Sequence, residues 1–220
     1  LSNKYSELSG NAKLPTQIAK PKLSPMNVQR VPTMSTTNQP NQASADTSPI
    51  KRMTVFRASE AHDCADKMPF EGVDESVIAG YGKLAEVSEY AQEGQIVRQL
   101  FAAPGDNGFG LTYAWFKSGF MVPRHSHNNS DCMYYVLGGE MHLGNQVLNK
   151  GDGVFVPVDT PYSFQAGPEG VEILEFRNAT QFHFLFGRND EKFWDKMADA
   201  IRTNGPNWQN ETVPPSQRFK

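Results

Sequence analysis

The chain has 220 residues, 38 % of them hydrophobic, with a formal net charge of −3. That length suits one medium domain with extensions or two small ones. The absence of a basic cluster argues against nucleic acid, and no run nears the roughly 18 to 20 apolar residues of a membrane span. Two cysteines, Cys64 and Cys132, are too few for a disulfide framework, so reduced thiols and a cytoplasmic location are expected. A small-molecule substrate is the partner that remains.

Residues 1–52 are rich in Asn, Gln, Pro, Ser and Thr and have little aromatic or β-branched clustering. Such a stretch buries too little apolar surface to offset its ordering entropy, so a disordered or loosely attached tail is expected. Around residue 60, EAHDCADK places His62 near Cys64 in a polar stretch that reads as loop. The runs GQIVRQLFAA, GLTYAWFKSG, DCMYYVLGGE, MHLGNQVLNKGD, GVFVPVDTPYSFQAG and VEILEFRN follow, each β-branched or aromatic and bounded by turn residues. They predict an all-β sandwich or barrel over 53–186 rather than alternating βαβ units. Aromatics such as Tyr113, Trp115, Tyr134, Phe155, Phe164 and Phe176 fall on these strands, most of them as core. Residues 187–220 form a C-terminal helix and tail: Asn189 or Asp190 caps DEKFWDKMADAIRTNG, Phe193, Met197 and Ile201 recur at fourfold spacing beside Trp194, and Asn204-Gly205-Pro206 stops it. No internal repeat is present, so a single barrel is expected.

The stretch PRHSHNNSDCMYYVLGGE, residues 123 to 140, carries the chemistry. His125 and His127 stand one residue apart on an expected strand, so both point to one face. Two imidazoles on one face are half of a metal site. Along the chain come Gly119, five residues, His125-Ser126-His127, four residues, Cys132, then Gly139, and later Gly151 and Pro157. This order resembles the cupin superfamily, the RmlC-like jelly rolls, over about residues 85 to 180. The resemblance implies a double-stranded antiparallel β-barrel, a homodimer paired through outer strands, and a metal held by histidines and a glutamate. Cys132 stands where the family has its glutamate, Tyr162 where it has its third histidine, and Asp159 where its second motif has glycine. In one branch, the thiol dioxygenases that oxidise cysteine, a cysteine occupies the same spacing and can join a nearby tyrosine in a thioether. That branch's third histidine has no counterpart at Tyr162.

His125 and His127 are the expected metal ligands, and Cys132 and Tyr162 the expected catalytic residues. A His, His, Cys set suits zinc or copper, whereas a phenol of pKa about 10 must first lose its proton. The plain alternatives are a buried hydrophobe at Cys132 and a space-filling, hydrogen-bonding Tyr162. Asp131 offers a two-His, one-carboxylate set, but the register of the YVL strand favours 132. His142 and His183 read as solvent-facing or packed, each able to swing in as a third ligand. Glu172 and Glu175, three apart on the last strand, face opposite sides, so at most one looks into a pocket as acid or base. The expected function is a metal-dependent enzyme acting on a small polar organic molecule, a dioxygenase first, with Fe(II), or else Zn, Mn, Ni or Cu. The alternatives are a non-catalytic binding cupin and a metal-dependent isomerase or lyase, because a fold alone does not set its chemistry.

Overall fold

The apolar runs of the sequence become strands of one curled, mostly antiparallel sheet in the computed structural model. The described residues are 53–63, 70–85, 87, 90, 92–103, 108–180 and 183–218. The expected tail over 1–52 and the cysteine at 64 lie outside them. In chain order come β1 His62–Asp63, β2 Phe70–Glu71, α1 Glu75–Ala85, β3 Gln95–Ala103, β4 Phe109–Phe116, β5 Met121–Ser126 and β6 Cys132–Leu143. Then follow β7 Gln146–Asn149, β8 Gly153–Val156, β9 Tyr162–Arg177, β10 Phe184–Phe186, α2 Glu191–Trp208 and a short α3 Pro215–Arg218. The strand path is β1-β3-β4-β9-β5-β10-β2, with β6 pairing β7, β8 and β9; among the described residues only β10 and β2 run parallel.

Strand β9 is the spine. Its residues from Val171 to Arg177 pair with β4 on one side and β6 on the other, and its first residues pair with β5. The sequence reads a turn at AGPEG, yet the chain stays extended through it. The reason is local: Ala166 N–H donates to Phe120 O at 2.8 Å and Gly167 O accepts from Gly119 N–H at 3.1 Å. The turn signal survives as a register shift against β6, where Gly139 faces Val171 but Met141 faces Ala166. On β6 the strand period of two is plain: Cys132, Tyr134 and Val136 are buried, Met133 and Tyr135 exposed. Their ladder partners Arg177, Glu175 and Ile173 share the inner face.

Two helices cover the inner face, and the sequence shows only one of them plainly. Helix α2 is capped by Asp190, whose side chain accepts from Phe193 N–H at 2.9 Å. Its buried stripe runs Trp194, Met197, Ala198, Ile201, Gly205 and Trp208, so it begins one residue later than Phe193. It also passes through Pro206 to Trp208 rather than stopping at Asn204-Gly205-Pro206. Tertiary bonds outweigh the proline's missing N–H: Trp208 is fully buried, its indole donates to Ser118 O at 2.8 Å, and its carbonyl accepts from Lys117 Nζ at 2.6 Å. Just before the helix, buried Asn189 bonds the backbone N–H and carbonyl of Arg124 at 2.8 and 3.1 Å, fixing α2 to the strand that carries His125.

Helix α1, ESVIAGYGKLA, escapes the sequence reading because two glycines weaken its helical signal. They serve different ends. A Cβ on Gly80 would lie 2.2 Å from the Trp194 ring, whereas one on Gly82 would meet nothing within 4 Å. Gly80→Ala should therefore destabilise by about 1 to 3 kcal/mol through overpacking, while Gly82→Ala should stabilise by about 0.5 to 1 kcal/mol. Urea unfolding of the two variants checks this; equal effects would contradict the α1–α2 seat.

Candidate functional site

Strand pairing brings the sequence motif together with residues far from it. His125 on β5 is the ladder partner of Tyr162, the first residue of β9, and Tyr134 on β6 is the partner of Glu175 near the end of β9. His125, His127, Tyr134, Tyr162, Glu175, Arg177 and Cys132 are all buried. Each ring nitrogen has a definite job. His125 Nδ1 lies 2.8 Å from Pro123 O and His127 Nδ1 lies 2.8 Å from His183 O. A carbonyl only accepts, so each imidazole carries its proton on Nδ1 and presents a lone pair at Nε2.

Both lone pairs meet one phenol. Tyr162 Oη lies 2.9 Å from His125 Nε2 and 3.0 Å from His127 Nε2. It also lies 2.5 Å from Tyr134 Oη, which is 3.0 Å from a Glu175 oxygen. These are four short contacts, and only the two phenolic protons are available to bridge them. Four minus two leaves two contacts in which lone pairs face each other. A cation at the imidazole end relieves that shortage.

An added proton is the costly way to supply it. Burial, reinforced by neighbouring His127, pushes His125 down to about 3, and burial also lowers His127. The phenols are held neutral: burial and the Glu175 charge raise both Tyr134 and Tyr162 well above the usual phenol range. Burial and the same carboxylate push Cys132 up to about 12, so it stays a thiol without a cation beside it. For Glu175 burial opposes ionisation, but the charge and hydrogen bonds of Arg177 prevail and bring it down to about 2. Arg177 grips both carboxylate oxygens, Nε at 2.7 Å and Nη2 at 2.5 Å.

The donor set fits a divalent transition metal. Two neutral imidazoles converge through Nε2 with their Nδ1 protons tied to carbonyls, the usual way such ligands are oriented. In addition, one atom each of His127, Cys132 and Glu175 lie within 4.8 Å of one another, close enough for one ion to touch all three.

The other sequence candidates lie elsewhere. Asp131 accepts from Val158 N–H at 2.9 Å and from Asn178 Nδ2 at 3.1 Å, so it braces a turn beside the site. His142 pairs with Glu140 at 3.1 Å on a half-exposed stretch of β6, and His62 is exposed. His183 contributes its backbone carbonyl. Glu172 and Glu175 do face opposite ways: Glu172 accepts from Tyr113 Oη and Ser216 N–H, each at 2.9 Å, on the outer side. Arg177 and the bridging role of Tyr134 are the features that sequence reasoning missed. A Glu-x-Arg pair two apart on a strand, hence on one face, was the available signal.

The turn positions settle the architecture. Gly119, Gly139 and Gly151 all have positive φ, and Asp159, standing for the motif's glycine, has φ 59°, a left-handed conformation that Asp tolerates better than most residues. The His-x-His segment, the motif turns and the curled antiparallel sheet coincide. The fold is a cupin jelly roll. No family profile and no curated protein sequence matches the chain. Solved structures similar to it include an RmlC-like cupin from Shewanella frigidimarina, 24 % identical over 39 % of this chain and 76 % of that one, TM-score 0.34. Others are the polyketide cyclase RemF from Streptomyces resistomycificus, 17 % identical over 72 % and 97 % of the two chains, TM-score 0.43, and a double-stranded β-helix protein from Klebsiella pneumoniae, 19 % identical over 47 % and 95 %, TM-score 0.38.

The barrel holds a half-open cavity of about 290 Å³ beside the imidazole pair. Its polar wall is His125, His127, Tyr134, Glu175 and Arg177; its other walls are mainly aromatic and aliphatic, with α1 and α2 contributing Tyr81, Leu84, Trp194, Met197 and Ile201. Burial of His125 has a consequence for stability. Between pH 6.5 and about 3 the unfolded chain binds a proton there that the folded one refuses, so stability falls as pH falls through this window. The slope approaches about 1.4 kcal/mol per pH unit for one such ring. Glu175 adds a second window, its contribution present above pH 4.5 and lost as pH falls towards 2. For chelator-treated protein the urea midpoint should already drop between pH 6.5 and 5, and His125→Asn should flatten that drop. An unchanged slope in the variant would contradict the assignment.

Proposed function

We propose that this chain is a metal-dependent cupin enzyme, a dioxygenase, acting on a small organic molecule. The observation that supports it is the shortage of protons around Tyr162, with two Nε2 lone pairs converging on one buried oxygen. His125 and His127 would hold one divalent transition metal, Fe(II) foremost and Zn, Mn, Ni or Cu otherwise; Cys132 and Glu175 group with His127 but not with His125. Such an ion, when bound, polarises a substrate oxygen or serves oxygen chemistry. The apolar walls favour a substrate with an apolar body and a polar head, which narrows the expectation of a merely small and polar molecule.

The chain's own residues do the rest. The carbonyls of Pro123 and His183 keep both imidazoles in one tautomer and orientation. Tyr162 keeps its proton at neutral pH and shares it among the imidazole and Tyr134 acceptors that surround its oxygen, behind the cavity's own lining. Arg177 keeps Glu175 ionised, and Glu175 in turn aims Tyr134 at Tyr162. Burial of these groups strengthens each of these interactions.

A second reading has its own support: Tyr162 Oη sits at the point on which the lone pairs converge, as it would in a cupin that binds a small molecule without catalysis. Elemental analysis separates the two. The first reading expects close to one transition metal per chain after purification without tag or chelator, lost in the His125→Ala/His127→Ala double variant while its circular dichroism is kept. A wild-type chain that stays metal-free after reconstitution, or a double variant with undiminished metal, would sink it.

A further inference from the structure

We propose that Tyr81 is the threshold of the cavity: its ring sets how thick a molecule can pass to the imidazole pair, so the chain takes flat or slender ligands and turns away globular ones of equal size. The inference rests on the cavity being the substrate site, and it adds to that reading a substrate shape and the residue that selects it.

A cavity opens where its lining is exposed. Most of the described residues that line this one are buried; Gln95, Pro123 and Phe184 are half-buried, and among the described lining residues Tyr81 alone is exposed, at 46 %. Its ring belongs to the wall itself. It stands edge-on to Phe186 at 5.9 Å between centroids and tilted against Trp194 at 5.8 Å, and both of those rings line the cavity too. Helix α1 places it there through a row of side chains three apart, which are neighbours on a helix surface. Ile78 is 61 % exposed and outside the lining, Tyr81 is in the lining and half open to solvent, and Leu84 is in the lining and buried. The row therefore runs from solvent to interior, with Tyr81 at the crossing.

From Tyr81 the way to the imidazole pair is short and walled by rings. Phe186 meets Phe184 edge-on at 5.0 Å, and Phe184 lies flat on the His125 imidazole at 4.0 Å, with 8° between the planes. Pro123, whose carbonyl holds His125 Nδ1, is another of the half-buried lining residues. Mouth and imidazoles thus adjoin at one end of the cavity. Rings packed edge to face in this way yield little, because each is held by the next. A thick molecule gains room at the mouth only when a ring leaves it, and Tyr81 is the ring with an open side. Its neighbour Gly82 presents no side chain, and a Cβ there would meet nothing within 4 Å. A flat molecule needs no such displacement.

The probes are 2-naphthol and 1-adamantanol, equal in carbon and hydroxyl content but flat in one case and globular in the other. Trp194 reports occupancy from the wall: the chain's three tryptophans give three indole signals in a proton–nitrogen correlation spectrum, Trp194→Phe assigns one of them, and its line shape through a titration gives both rates. In the wild type 2-naphthol should associate at least about tenfold faster than 1-adamantanol, the low end of the span over which related binding sites differ in association rate. Tyr81→Ala should erase that difference by speeding the globular probe's entry and exit together, Tyr81→Leu, gentler on the fold, should reduce it, and Tyr81→Phe, which keeps the ring, should retain it. Equal association rates in the wild type, a difference that persists undiminished without the ring, or no saturable binding of either probe would overturn the proposal. Metal is measured on the same samples. A metal-free chain that discriminates by thickness would retire the enzyme reading and keep this one; a metal-loaded chain that does not discriminate would do the reverse.

Discussion

Two hydrogen bonds from imidazole Nδ1 to backbone carbonyls determine the character of this protein's centre. They fix the tautomer of His125 and His127, and by doing so they leave two lone pairs aimed at the buried Tyr162 oxygen. A buried lone pair that meets another lone pair is costly, because the low local dielectric strengthens the repulsion as much as it would strengthen an attraction. The neighbouring carboxylate sharpens the shortage, because Glu175 accepts the Tyr134 proton. Glu175 and Arg177 form a buried pair whose mutual grip costs much desolvation and is kept only with good geometry and satisfied oxygens. Here the geometry is two-pronged and the remaining acceptor capacity goes to Tyr134.

Strand β9 makes this possible. Its inner face presents Val171, Ile173, Glu175 and Arg177 in succession, apolar at the middle of the barrel and charged at the end nearest the histidines. At its other end Tyr162 pairs with His125 across the ladder. One continuous strand therefore supplies the phenol at its start and the ion pair at its finish, and the curl of the sheet brings these two ends to a single point. The helices complete the enclosure. Asn189 fastens α2 to the backbone beside His125, and Gly80 lets α1 close on α2, so the cavity's wall and the imidazole pair are mechanically joined.

Much of this was legible in the sequence because its physics is local. Period-two alternation and turn residues mark the strands, and the motif glycines mark positive-φ turns that side chains resist. Even the deviant Asp159 keeps that conformation. What escaped was set by long-range contact. Helix α1 hides behind Gly80, whose purpose appears only when Trp194 is beside it. Helix α2 outlasts its apparent stop because Trp208 is anchored from Lys117 and Ser118. The pairing of Tyr134 with Glu175, and the clamp of Arg177 on that carboxylate, depend on strand register, which a one-residue slip would reverse. Cys132 and Tyr162 could be placed as substitutes in a motif, but their protonation states are products of burial and of Glu175, neither visible in the motif itself.

The most direct test is to observe the ring nitrogens themselves. A long-range proton–nitrogen spectrum of chelator-treated protein, with His125 and His127 assigned by substitution among the chain's five histidines, reads tautomer and charge together. Both rings should be neutral with the proton on Nδ1, and one equivalent of zinc, as a diamagnetic probe, should move both Nε2 signals in step and saturate at one ion per chain. A ring found as imidazolium at neutral pH, a proton on Nε2, or two Nε2 signals indifferent to zinc would contradict the claim that this centre is built around a missing cation.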